Sequence, residues 1–187
     1  IAGALRSLEL HKRTVNGIDD PALQNVARIA GREHEDIADL VIGAATLVGV
    51  EKLIDPAFKL ADTVTAQEGA ANEVFLGVII DKERMNKEMP KDVKQVKILL
   101  IDDALEPEEM EDEALGTESG FKRYIELKEE FKQNVRKVVE LGIGVVLVDR
   151  GVHDIAEEIL TDAGVMVVQR VSAKDMRRVA DHTGAKM

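Results

Sequence analysis

Along the first fifty residues, apolar side chains recur every three to four positions. Ile1, Leu5 and Leu8 fall on one helical face, and Ile37, Leu40, Val41, Ala44 and Leu47 form a second stripe of the same period. Asp20 followed by Pro21 marks an N-cap and a first helical position, and Gly49 is a stop. The second stripe is too short, and too polar on its far side, to cross a membrane, so it is expected to pack on a neighbouring element. From Phe58 the period shortens to two. Phe58, Leu60, Val64 and Ala66 alternate with polar residues, Gly69 sits among small residues at 67–72, and 74–80 is a second extended run. This pattern predicts a hairpin and a boundary between domains.

Short β-branched runs at 96–101, 145–148 and 165–168 predict the core strands. A helix is expected over 122–140, where Phe121, Tyr124, Leu127, Phe131, Val135 and Val138 are spaced three or four apart, giving a rod of about 28 Å. A second is expected over 152–163, with Val152, Ile155, Ala156, Ile159, Leu160 and Ala163 on one face. Ser172, with Asp175 three residues later, opens a third that closes near Gly184. Alternating strands and helices predict an α/β layered class. Before the long helix, residues 102–119 carry nine carboxylates and no Lys or Arg, which predicts an exposed excursion. The first turn of that helix, with Phe121, Tyr124 and Ile125, then has few apolar neighbours in sequence. It either protrudes or folds back on its own domain, and periodicity leaves both open.

The 187 residues carry a net charge of -11, which disfavours a general nucleic-acid or anionic-membrane surface. The absence of cysteine excludes disulfides, thiolate metal sites and a cysteine nucleophile. A chain that starts at Ile1, has no leader pattern and has no span of about 18 apolar residues is expected to be an internal, cytoplasmic piece of a longer polypeptide. His11, His34, His153 and His182 lack metal-ligand spacing, so no metal site is expected. Asp102, Glu106, Glu108 and Asp112 lack the glycine and alternation of a calcium loop. The turn Asp149, Arg150, Gly151 sits between a strand and a helix and could receive an anion, but no phosphate-loop or nucleophile motif accompanies it.

Four segments in this order resemble the apical domain of group II-type chaperonins, the thermosome and its relatives: GVIIDKERMNKEMP at 77–90, KILLIDDALE at 97–106, GIGVVLVDRGVHDIAEEIL at 142–160 and VQRVSAKDMRRVADHTGAK at 168–186. The resemblance implies apical-domain-like α/β layers over 73–187 with a helical protrusion, a built-in lid, at 107–132. It also implies a mainly helical first half of an intermediate domain at 21–72, and the end of an equatorial helix at 1–20. Arg32 stands where the family usually has a lysine that senses the terminal phosphate of the nucleotide, so a sensing role is implied for it, with the charge kept and the compact ammonium lost. Asn86 stands where a histidine is frequent, before the pair Met89 and Pro90. Such departures suit the bacterial branch sometimes called group III.

The resemblance further implies that the helix from Val152 faces the folding chamber and binds non-native polypeptide through His153, Asp154 and Glu157. Leu115, Phe121, Tyr124 and Ile125 would form the lid tip, with no separate lid protein. The whole protein would be an ATPase using ATP and Mg2+, assembled as a homo-oligomeric double ring. The family's phosphate-binding loop and hydrolytic aspartate are not in these residues, so no cofactor and no catalysis are expected of this chain. The competing readings are a stand-alone nucleotide- or small-molecule-binding α/β domain built on the Asp149–Gly151 turn, which needs a closed pocket at the strand ends, and a structural adaptor.

Overall fold

A computed structural model of the chain describes residues 2–32, 34–110 and 116–187. The chain separates into two compact units, Ile1–Gly77 and Val78–Met187.

In the first unit, α1 (Ala2–His11) buries no residue, and Leu5 and Leu8 on the expected stripe stay exposed. Asp20 caps α2 (Pro21–Gly31): its two carboxylate oxygens accept the Asn16 N–H at 3.0 Å and the Ala22 N–H at 2.8 Å. These two amides, aided by Arg13, hold the Asp20 carboxyl below the usual carboxylate range against the opposing effect of burial. The following helix, α3 (Glu35–Val48), buries Ala38, close to Gly31 of α2; a Cβ on Gly31 would come within 3.3 Å of the Ala38 Cβ. The expected apolar stripe is therefore not what packs. Ile37, Val41 and Leu47 are exposed, because the approach to α2 is made through small residues. Gly49 ends α3 at φ 81, before the single turn α4 (Val50–Leu53).

The hairpin expected from Phe58 is absent. Leu60–Thr63 form a 3-10 turn, and no strand lies between 58 and 80. Alternation alone does not make a strand: residues 61–73 are exposed throughout, so this run has no apolar face to bury, and an isolated two-stranded ribbon is marginal in water.

The second unit is a three-layer α/β arrangement. Strands β1 (Lys97–Ile101), β2 (Ile143–Val148) and β3 (Met166–Val168) form a parallel sheet in that order, with Leu99 opposite Val146 and Val146 opposite Val167. Between them run α5 (Glu118–Glu140) and α6 (Asp154–Asp162), and after β3 comes α7 (Ala173–Thr183). Successive residues of β2 serve opposite faces. Val146 and Val148 pack with Phe131 and Val135 of α5 and with Ala156 and Leu160 of α6, whereas Leu147 packs with Met176 and Val179 of α7. Each such fully buried side chain stabilises the fold by about 1.5–3 kcal/mol. Gly144 lets the approach to β2 come close, since a Cβ there would fall 2.5 Å from the Val96 side chain.

The outer edge of β3 is closed from a distance in sequence. The Met85 N–H donates to the Val167 carbonyl at 2.8 Å, and the Val167 N–H donates to the thioether sulfur of Met89 at 3.3 Å. Met89 is only 2% exposed, so this sulfur acceptor lies in the core.

Candidate functional site

The expected helix over 122–140 begins earlier, at Glu118, because Thr117 caps it by accepting the Gly120 N–H at 3.0 Å. Its 23 residues make a rod of about 35 Å. Along this rod the apolar line changes character. Leu127, Phe131 and Val135 are buried, while Phe121 and Ile125, within the two turns before Leu127, are 57% and 52% exposed. Tyr124 is half-buried, with the Lys128 ammonium 4.4 Å from its ring centre. Leu115 falls outside the described residues, as does Asp112. Flanking them, the acidic excursion is exposed at Asp102, Asp103, Glu106, Glu108 and Glu109.

The turn from β2 into α6 is tied down by its own backbone. The Asp149 N–H donates to the Ile101 carbonyl at 2.9 Å, the Arg150 N–H to the Asp103 carbonyl at 3.4 Å, and the His153 N–H to the Leu105 carbonyl at 2.9 Å. The Arg150 guanidinium pairs with Asp103 at 3.1 Å on an exposed surface. His153 caps α6, its Nδ1 accepting the Ile155 N–H at 3.1 Å, and its ring stands edge-on to Phe131 with centroids 6.0 Å apart. Four of the amides around this turn are thus already engaged, and Asp154 and Glu157 in the first turn repel negative charge. The geometry argues against the nucleotide-binding alternative.

Asp154 and Glu157 line a shallow depression of about 340 Å³ on the polar side of α6, together with Glu158, Thr161 and Asp162 of the same helix and Asn86 and Glu88 from the segment that closes β3. The Asn86 amide donates to Glu157 at 3.1 Å and fixes one wall. His153 is a cap and a packing partner and does not line this depression. Glu158, Thr161 and Asp162 were not among the expected residues, although the helical period that turns Ile155 and Ile159 inward would have found them. No periodicity could bring in Asn86 and Glu88, which lie some seventy residues earlier. Arg32 belongs to the first unit, where it follows α2 at φ 54 and ψ -114, a backbone conformation that glycine holds more easily. Among the described residues, no group of three or more His, Asp or Glu side chains is arranged to hold a metal ion, and no helix is long and apolar enough to cross a membrane.

Comparison with known proteins gives a consistent picture. The model of the TCP-1/cpn60 chaperonin family matches residues 1–187. A thermosome subunit of Pyrococcus abyssi is 37% identical over 170 residues, covering 86% of this chain and 30% of the relative. The thermosome subunit alpha of Thermoplasma acidophilum is 33% identical over 183 residues, covering 90% and 34%. The crystal structure of a group III chaperonin in the open state superimposes with a TM-score of 0.84 at 39% identity, covering 99% of this chain and 37% of that one. The open-state monomer of a group II chaperonin from Methanococcoides burtonii gives 0.63 at 26% identity, covering 99% and 44%. The chain spans about a third of the length of these thermosome subunits.

Proposed function

Since the chain belongs to the TCP-1/cpn60 chaperonin family, we propose that it is the substrate-binding and lid-forming part of an ATP-dependent chaperonin that encloses non-native proteins. The observation that carries this reading is the change along α5, from a half anchored in the core to a first two turns that present Phe121 and Ile125 to solvent. An exposed apolar end on a rigid rod suits capture of unfolded chains, and equally closure against neighbouring copies. In this reading Leu115, Phe121, Tyr124 and Ile125 form the lid tip of a protrusion at 107–132, with no separate lid protein. The polar face of α6, with Asp154 and Glu157, faces the client, and His153 holds that helix in place. Residues 21–72 belong to an intermediate domain, 73–187 to the apical domain and 1–20 to the end of an equatorial helix.

The whole protein would be a cytoplasmic homo-oligomeric double ring that hydrolyses ATP with Mg2+. The β2–α6 turn is a poor place for that nucleotide, because four of its amides are engaged and carboxylates front it. Arg32 would only sense the nucleotide, and its strained backbone fits a residue kept for a task other than stability. The test is suppression of aggregation of an unfolded test protein by excess chain. Binding through one patch is weak, so a large excess is needed. The expected result is partial suppression that Phe121→Ser with Ile125→Ser removes without loss of fold. Equal suppression by the double variant would overturn the reading.

A further inference from the structure

The link between α1 and α2, residues 12–20, lies outside any helix and holds an Asn-Gly pair, Asn16 and Gly17. The other asparagines precede Val26, Glu73, Lys87 and Val135, whose side chains crowd their own amide nitrogens. Asn16 and Gly17 are both exposed. Gly17 sits at φ 90, and, its chain neighbours aside, no atom lies within 4 Å of where its Cβ would stand. Among the described residues, no hydrogen bond engages the Asn16 side chain or the Gly17 N–H. The Asn16 N–H, by contrast, donates at 3.0 Å to Asp20, the residue that caps α2.

We propose that Asn16 is a modification site, where the chain itself converts asparagine to isoaspartate and aspartate and so loosens the cap of α2. The Gly17 nitrogen attacks the side-chain carbonyl carbon of Asn16. A new C–N bond forms, the bond to the side-chain amide nitrogen breaks, and that nitrogen leaves as ammonia, taking the Gly17 proton. Water then opens the cyclic imide at either carbonyl. One opening gives aspartate. The other gives isoaspartate, in which the main chain runs through the old side chain and the old main-chain carbonyl becomes a pendant carboxylate. Glycine at 17 leaves the attacking nitrogen uncrowded. Either product sets a new carboxylate four positions from Asp20, and isoaspartate also adds an atom to the main chain beside the Asn16 N–H. That amide is the largest cause of the depressed Asp20 titration, so its displacement and the added negative charge both move the Asp20 carboxyl upward. The cap then fails at less acid pH. An enzyme that methylates isoaspartyl carboxylates is the partner that this chemistry would call on for repair. The inference rests on residues of the first unit alone and is independent of the client-binding reading.

Trypsin cuts after Arg13 and Arg28, so one peptide, 14–28, carries Asn16 together with Asn25 as an internal control. The folded chain is held at mildly alkaline pH, sampled over time, digested and read by mass spectrometry with electron-transfer fragmentation, which separates isoaspartate from aspartate. The Asn16 amide should be lost to both products while Asn25, inside α2, and Asn72, exposed but followed by Glu73, keep theirs. Because the link is exposed and its groups are free, the folded chain should convert nearly as fast as the same chain in guanidinium. In the aged protein a second Ala22 amide resonance should grow in step with isoaspartate. Asn16→Gln, which keeps the main-chain N–H, should show neither the conversion nor the second resonance. An Asn16 amide that survives in the folded chain but not in the denatured one, or equal loss at Asn72, would overturn the inference. Conversion that leaves the Ala22 resonance unmoved would overturn its link to the cap.

Discussion

The two units bury their apolar residues very differently. In the first, Ala38 is the one apolar side chain that is buried among the described residues, while Val26, Ile29, Ile37, Val41 and Leu47 of two amphipathic helices remain exposed. In the second, two continuous clusters sit on either face of the sheet. Both units show clear helical periodicity. What separates them is a partner: a stripe becomes core only where a second element of matching shape lies against it.

The largest expected effect compares single truncations across the two units. Leu160→Ala, at a position with no exposed surface, should cost about 2–5 kcal/mol. Ile29→Ala, at a position 77% exposed, should cost less than about 0.5 kcal/mol. Denaturant unfolding followed by far-UV circular dichroism measures both. Similar costs would mean that α2 is buried by a contact the isolated chain retains in solution.

Gly144→Ala should destabilise the second unit by about 1–3 kcal/mol by driving its new methyl against Val96. Val96→Ala in the same chain should recover part of the loss, a coupling that a double-mutant cycle reads directly. A comparable change is expected at the closed edge of β3. Met89→Leu keeps the volume but removes the acceptor of the Val167 N–H, at a cost of about 1–3 kcal/mol. Amide exchange at Val167 should accelerate more than at its neighbour Val146, which faces the same core.

Much of the second unit was legible because its signals are local. Ser172 and Asp175 announce the start of α7 and Gly184 its end, and the β-branched runs fall on the strands. Most of the failures share one cause: they depend on what stands opposite in space. The alternation after Phe58 lacked a partner strand, and the stripe on α3 lost to the smaller Ala38. Closure of β3 by Met85 and Met89 spans nearly eighty residues. The cap at Thr117 was local, yet it was hidden by the acidic run before it. At the candidate site, the carboxylate face of α6 could be read from its period, while the Asn86 wall could not.

The smallest expected effect lies in the first unit. Because the Asp20 carboxyl titrates below its unfolded value, the cap it provides is fully present above about pH 4 and is lost as pH falls through the depressed folded value. Helicity of α2, followed through the Ala22 and Leu23 amide resonances, should therefore persist at neutral pH and fade only in acid. Asp20→Ala should show the faded state at every pH.

The contrast within α5 bears on function most directly. Titration of the isotope-labelled chain with a permanently unfolded polypeptide should shift the amide resonances of 120–126 and of the polar face of α6, while Leu127, Phe131 and Val135 stay unmoved. Phe121→Ser with Ile125→Ser should abolish the shifts on α5 and leave the core spectrum intact. Cooperative unfolding of that variant, or shifts confined to the core, would show that the first turns of α5 are buried and contradict the account.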